Sequence, residues 1–231
     1  MNFHDLYYYF FNIDFFIKTL PDLLKGLIVT IKIAGLSLIM GFILGLILAV
    51  VRVTVKQRSN PLIIRLLNIP IAIYVDVLRS VPPLIILIVV YYALPYINIM
   101  IPRFWAAVFT FVAILSAFSE EIFRATIESI DRGQVEAARS LGLSYMQTMV
   151  SVVIIQAFRI ALPPMTSRLI AITKDVSLAS VIGVADLLKK ARAAQAFYAN
   201  PTPIFSAALL FTILFLPLVR LSMYIEKKMA D

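Results

Sequence analysis

The residues of this chain with chemistry to do are the charges set inside long apolar runs. Glu120 and Glu121 form a carboxylate pair, a grouping that binds cations or carries protons when it lies in a membrane. Arg124 follows Glu121 at helical spacing for an ion pair, so the local reading is a structural pair, Glu121 with Arg124. Arg159 and Arg168 stand in a later run with Pro163-Pro164 between them. Proline removes a backbone donor and loosens a helix. Arg168, just past the prolines in the outer half of that run, offers a forked donor set matched to a carboxylate. Two readings of it stand. With Pro163 and Ser167 it contacts an anionic group of a bound solute, or it pairs with a carboxylate on a neighbouring helix. Arg159 reads as a structural partner. No cysteine is present and His4 is the only histidine, which excludes disulfides, thiol catalysis and a histidine or thiolate metal site. No nucleophile–base pair can be assembled either, so an enzyme is not expected.

The elements that must hold these charges are membrane helices. The 231 residues are 61% hydrophobic with mean hydropathy +0.95, against about 45–50% apolar in soluble domains. Residues 33–51, 80–102, 104–119, 140–158 and 193–219 carry no Asp, Glu, Lys or Arg. A helix needs about 20 apolar residues to cross the hydrocarbon core. The fold class expected is therefore all-α, with about five transmembrane helices. Alternating in/out patterns of a membrane barrel are absent, and helices satisfy their own backbone in lipid. The net charge of +8 would point to nucleic acid in a soluble chain. Here the cations flank apolar runs, so they read as topology and no nucleic acid is expected.

Residues 1–22 read as an N-terminal interfacial segment and 23–231 as the transmembrane domain. The first segment lacks the basic start and small-residue site of a cleaved signal and carries Asp5 and Asp14. Its aromatics (Phe3, Tyr7, Tyr8, Tyr9, Phe10, Phe11, Phe15, Phe16) suit headgroup depth. The first span, about 23–53, contains Gly41 and Gly45 four residues apart, a pattern for close helix packing. A basic hinge follows with Arg52, Lys56, Arg58 and Asn60-Pro61. An amphipathic stretch with Arg65, Asp76 and Arg79 is then broken at Val81-Pro82-Pro83. The third span runs from Ile101-Pro102 to about Ile130 and the fourth from about Met146 to Ile172. Residues 177–188 are too short to cross and read as re-entrant or interfacial. The last span starts at Asn200-Pro201 and ends at Arg220.

Between the third and fourth spans, residues 131–147 form a polar helical hairpin. Asp131 can cap a helix start, Ala137 and Ala138 are strong helix formers that leave a small surface, and Gly142 lets the chain turn out. Arg132, Glu136 and Arg139 sit three and four residues apart, where they can share a face and pair. The product is a short rigid helix with a polar rim, suited to a groove on another protein.

The string Glu136-Ala-Ala-Arg-Ser-Leu-Gly142 resembles the cytoplasmic loop motif of ABC-importer permeases. Glu121-Ile-Phe-Arg124, Gly133-Gln134, Arg79-Ser-Val-Pro82, Gln156-Ala157, Leu162-Pro163, Lys174-Asp-Val-Ser177, Ile182-Gly183 and Asp186-Leu187 extend the likeness to the polar amino-acid uptake branch. It covers roughly Gly26 to the C-terminus. One departure is Ile155, where the motif usually has proline, which leaves the bend of the fourth span open. The resemblance implies the core of a type I ABC-importer permease, paired with a copy of itself or a similar permease in the cytoplasmic (inner) membrane of a prokaryote. It implies a dimer of cytosolic ATPase subunits and an extracytoplasmic amino-acid-binding protein. On this reading Arg132, Gly133, Glu136, Ala137, Ala138, Arg139 and Gly142 couple to the ATPase. Ser177, Ser180, Gly183 and Asp186 belong to an outer gate, and Arg168 lies near the cavity and favours polar, acidic or zwitterionic amino acids. The chain has no Gly-x-x-x-x-Gly-Lys-Ser/Thr phosphate loop. No cofactor is expected on it, and ATP with Mg belongs to the partner ATPase.

Lys and Arg near span ends favour an N-terminus outside and a C-terminus in the cytosol. Lys189, Lys190 and Arg192 run against that bias and could dock an acidic face of a binding protein. The competing reading is a secondary amino-acid or ion transporter coupled through Glu120 and Glu121 without an ATPase.

Overall fold

The computed structural model describes residues 3–57 and 61–230, with the side chains of 3–6, 57, 61, 63, 64, 229 and 230 left aside. Arg58 and Asn60 of the expected basic hinge therefore lie outside the described residues, as do the side chains of Phe3, His4 and Asp5. Among the described residues ten α-helices follow one another: α1 Phe3–Phe10, α2 Ile13–Gln57, α3 Pro61–Ser80, α4 Pro83–Ile88, α5 Arg103–Glu128, α6 Arg132–Ser140, α7 Tyr145–Thr148, α8 Ile154–Asp175, α9 Leu187–Tyr198 and α10 Thr202–Ala230. Among the described residues four helical stretches are long and apolar enough to cross a membrane, and a fifth crossing is gained if α3 and the helical stretch after it form one broken span. The break falls where Val81-Pro82-Pro83 places it, because proline denies the preceding residue its helical conformation.

The division expected at 22/23 falls inside one helix: α2 runs unbroken from Ile13 through Pro21 to Gln57. Asp22 and Lys25, polar and exposed, pair at 3.5 Å one turn apart, so they decorate the helix without ending it. At the other end α10 continues past Arg220 to Ala230.

The chain divides into two compact units. The first comprises Met1–Ser37, Pro83–Phe111 and Ile170–Arg220. Its small core sets Leu23 of α2 against Leu187 and Ala191 of α9 and Ala207 of α10. The junction of α1 and α2 is latched to the start of α10. Asn200 donates to the Tyr8 carbonyl at 3.1 Å, Thr202 donates to that of Tyr9 at 3.2 Å, and Phe10 meets Phe205 edge-on.

The second unit comprises Leu38–Pro82, Val112–Leu169 and Leu221–Asp231. Its core packs Ala49 and Val53 of α2, Phe123 and Ile127 of α5, and Met149, Val153, Ala157, Ala161 and Met165 of the fourth span. The last five recur every four residues, which drifts around an ideal α-helix of 3.6 residues per turn. A π-helical turn at Met149–Val153 widens the local repeat and keeps the row on one face. The irregularity of this span thus sits just before Ile155, whereas α8 passes through Pro163-Pro164 unbroken. Phe42, Phe123 and Phe158 meet as a ring cluster that ties α2, α5 and α8 together. Tyr74 of α3 reaches Ser116 at 2.6 Å.

Within this unit α2 and α5 run in the same sense. Gly41 lies by Leu115 and Gly45 by Ser119, and farther on Lys56 meets Glu128. A Cβ on Gly45 would overlap Ser119 and come within 2.7 Å of the Ser116 carbonyl oxygen. Gly45→Val is therefore expected to cost about 1–3 kcal/mol through overpacking, read as a fall in the detergent unfolding midpoint. Gly35→Ala is the control, since a Cβ there meets nothing within 4 Å.

Candidate functional site

The polar hairpin is built by its caps. Asp131 accepts from the Gly133 backbone N–H at 2.6 Å, α6 follows, and Gly142 at φ +85° turns the chain out, a conformation costly for any side-chain-bearing residue. Ser144 and Gln147 then form a reciprocal capping box that starts α7. Arg132, Gly133, Glu136, Ala137, Arg139 and Gly142 are all exposed. The pairing expected among Arg132, Glu136 and Arg139 is absent: among the described residues no ion pair joins them, and Arg139 instead donates to the Leu143 carbonyl at 2.9 Å. Ala138 is buried, so only Ala137 contributes to the small outer surface. Sequence reasoning missed Leu141, which is 84% exposed at the tip. An apolar residue inside so polar a stretch was the available signal.

Behind the hairpin lies a chain of ion pairs. Arg52 of α2 donates to both oxygens of Glu120, at 3.1 and 3.3 Å, and Glu120 is fully buried. Arg124 meets Glu121 at 2.6 Å and Glu128 at 3.0 Å. Lys56 shares Glu128 at 3.0 Å, and Arg79 of α3 approaches Glu121 at 3.4 Å. The two neighbouring carboxylates therefore face different helices. The Arg52–Glu120 link was legible only as two costly charges near span ends.

Arg168 lies with its guanidinium 3.1 Å from the centre of the Phe118 ring, and Arg79 sits 5.4 Å from the same ring, within range for cation–π attraction. Ser167 donates to Glu226 at 2.9 Å, and Ser222 bonds both Thr166 and Glu226. The Pro163 carbonyl accepts from Thr166 at 2.8 Å. Phe118 is ten residues, about 15 Å of helix, from the end of α5 at Glu128, and Ser222 and Glu226 belong to the C-terminal third of α10.

The expected gate is a continuation of the fourth span, not a separate short segment. Helix extends in one piece over Tyr145–Ile182, tightening to 3₁₀ at Val176–Ile182 and ending at Gly183 in the left-handed region. Ser177 donates to the Lys174 carbonyl. Ser180 is buried, and its hydroxyl has no partner among the described residues. Asp186 is fully buried, and its Oδ1 caps α9 by accepting from Lys189 N–H at 2.8 Å. The next N–H, of Leu187, donates to Thr30 of α2 at 3.2 Å. Of the cation cluster, Lys190 reaches Asp22 at 3.8 Å.

Burial pushes the Asp186 carboxyl up from 3.8 to about 6, against the Lys189 N–H and the charges of Arg192 and Lys189. Between pH about 4 and 6 the folded chain then holds more protons than the unfolded one, and stability falls as pH rises through that window. Asp186→Asn keeps a cap acceptor and removes the buried charge. It is expected to flatten the dependence of the unfolding midpoint on pH from 4 to 7 and to raise the midpoint at pH 7.

A helical, multi-pass membrane component with an exposed polar hairpin between two spans is the class defined by this fold and site. The family described as binding-protein-dependent transport system inner membrane component matches residues 41–231, and the chain belongs to it. It is a permease component of the inner membrane, not an enzyme. The probable amino-acid ABC transporter permease protein YckA of Bacillus subtilis (strain 168) is 38% identical over 184 residues, 80% of this chain and 78% of that one. The arginine transport system permease protein ArtQ of the same organism is 35% identical over 223 residues, 94% of this chain and 98% of that one. A crystal structure of an amino acid ABC transporter with histidines superposes with TM-score 0.77 at 32% identity, covering 92% of this chain and 96% of that one. The inward-facing MetNI methionine ABC transporter, at 20% identity and TM-score 0.72, shares the fold.

Proposed function

We propose that the chain is the transmembrane permease of an ATP-driven importer of polar amino acids, pushed through its hairpin by a separate ATPase. The observation that carries this reading is the doubly capped, exposed α6–α7 hairpin with Glu136 and Ala137 outward. Rigid caps and an unpaired polar rim suit a groove on a partner. ATP and Mg reside on a pair of ATPase subunits, a binding protein delivers the solute, and a second permease, identical or similar, completes the pathway. The parallel sense of α2 and α5 supports a hairpin in the cytosol with the N-terminus outside and the C-terminus inside. Relatives named for arginine, glutamine and cystine transport support the amino-acid class.

Reconstitution with the ATPase and binding protein, across a panel of amino acids, tests the reading. The chain alone transports nothing, and the complex takes up at least one amino acid only with ATP. Uptake by the chain alone on a proton gradient would establish the secondary-transporter alternative instead.

Arg168 contacts an anionic group of the substrate, with Pro163 and Ser167 shaping the helix beside it. The Phe118 ring packs against the guanidinium and restrains it, so less side-chain freedom is lost on binding. Arg168→Ala is expected to weaken substrate affinity about tenfold, one charge-assisted hydrogen bond's worth, and Arg168→Glu to shift preference toward basic amino acids. Uptake competition reads both, and unchanged affinity and selectivity would end the assignment.

A further inference from the structure

Beneath the hairpin the second unit holds a cleft of about 490 Å3 that the transport reading leaves unused. Lys56, Glu128, Arg132, Tyr145 and Thr148 line it over an apolar floor that includes Val53. Three of these residues mark ends of candidate spans: Lys56 closes Tyr7–Lys56, Glu128 closes Arg103–Glu128, and Tyr145 opens Tyr145–Ile182. Three helix ends and the charges Lys56, Arg124, Glu128 and Arg132 thus gather around the cleft, the arrangement of a polar boundary beside apolar helix bodies. Its volume falls in the range of ligand sites, about 300–1,000 Å3.

The polar groups in it are unevenly matched. Glu128 is held by both Lys56 and Arg124 at 3.0 Å, and the Asp131 carboxylate is engaged as the cap of α6. Arg132 has no ion pair among the described residues. Thr148 is 1% exposed, and neither its hydroxyl nor that of Tyr145 has a hydrogen-bond partner among the described residues. Buried hydroxyls without partners are costly, and two of them beside two cations form a donor set for an anion with several oxygens.

We propose that this cleft binds a phosphate group and that the phosphate is the headgroup of an anionic phospholipid. Lys56 and Arg132 supply charge, Thr148 and Tyr145 donate hydrogen bonds, and the apolar floor receives the start of the acyl region. Basic pockets between spans on the cytoplasmic side take anionic lipids in this way. The lipid then fills the space under α6 and sets the angle at which the hairpin stands. The inference depends on the chain being a membrane protein and is independent of which solute it carries.

Native mass spectrometry of the full-length chain, titrated with phosphatidylglycerol or phosphatidylcholine of matched chains, tests it. The expected result is a preference for phosphatidylglycerol of about tenfold or more, lost in K56Q/R132Q, as the salt-dependent pairing of cations with phosphate requires. Thr148→Val is expected to weaken phosphatidylglycerol binding about threefold, one neutral hydrogen bond to the phosphate. Equal binding of the two lipids, or an unchanged preference in K56Q/R132Q, overturns the site. Full displacement of phosphatidylglycerol by millimolar inorganic phosphate overturns the lipid assignment, because the site then reads the free anion. Displacement by stoichiometric ATPase subunits overturns it as well, because the cleft is then the partner's seat. If K56Q/R132Q does not stay monodisperse, Thr148→Val decides alone, and unchanged phosphatidylglycerol affinity there rejects the proposal.

Discussion

Replacing residues 136–139 with a Gly-Ser-Gly-Ser stretch is expected to lower ATP-driven uptake about a hundredfold, or roughly 2.7 kcal/mol, with the spans intact. The hairpin helix is only nine residues long, too short to be stable by itself in water. It stands because Asp131, Gly142 and the Ser144–Gln147 box close its ends. Two glycines in its middle cost about 0.8–1 kcal/mol each relative to alanine and remove the Ala138 contact with the core. A docking partner must then order the segment as well as bind it. The measurement is uptake, together with binding-protein-stimulated ATP hydrolysis, in vesicles holding the complete transporter. Transport at the wild-type rate with a scrambled hairpin would sink the coupling assignment.

Glu120→Ala is expected to destabilise the chain by about 3–5 kcal/mol, the usual cost of removing one member of a buried ion pair. Arg52 would keep its charge beside an empty, water-poor site, since Glu120 is fully buried and accepts two bonds from that guanidinium. Arg124, 3.7 Å from Glu120 through Nε, retains Glu121 and Glu128 and suffers less. The apolar double variant Arg52→Met/Glu120→Leu should recover most of the loss, because the cost lies in the orphaned charge and not in the missing pair. Unfolding midpoints of the two single variants and the double variant, in one detergent, close the cycle. A double variant as unstable as Glu120→Ala would show that the pair itself supplies the stability.

Much of this architecture is readable from local pattern. Charge-free runs announce the helices, Pro82-Pro83 announces the break after Ser80, and Asp131 with Gly142 announces the bounds of α6. What escapes a one-dimensional reading depends on which side chain meets which. Glu120 and Glu121 are adjacent in the chain and look alike, and spacing alone pairs the second with Arg124, yet only the three-dimensional packing sends the first to Arg52 of α2 and brings Arg79 of α3 to the second. Arg132, Glu136 and Arg139 have the spacing for pairing, but a short exposed helix gains little from surface ion pairs, and Arg139 does better on the Leu143 carbonyl. The π turn at Met149–Val153 leaves no compositional mark except the four-residue repeat of the core row.

The latch between the chain's beginning and its last helix has a consequence for biogenesis. The carbonyl groups of Tyr8 and Tyr9 find their donors about 190 residues downstream. At ribosomal speeds of roughly 5–20 residues per second, they wait on the order of ten to forty seconds after emerging. Through that interval the aromatic leading edge must shelter at the lipid surface or against an insertase, and only arrival of the final helix releases it. A nascent chain halted before Asn200 would leave that edge open, and quality-control proteases would meet it first there.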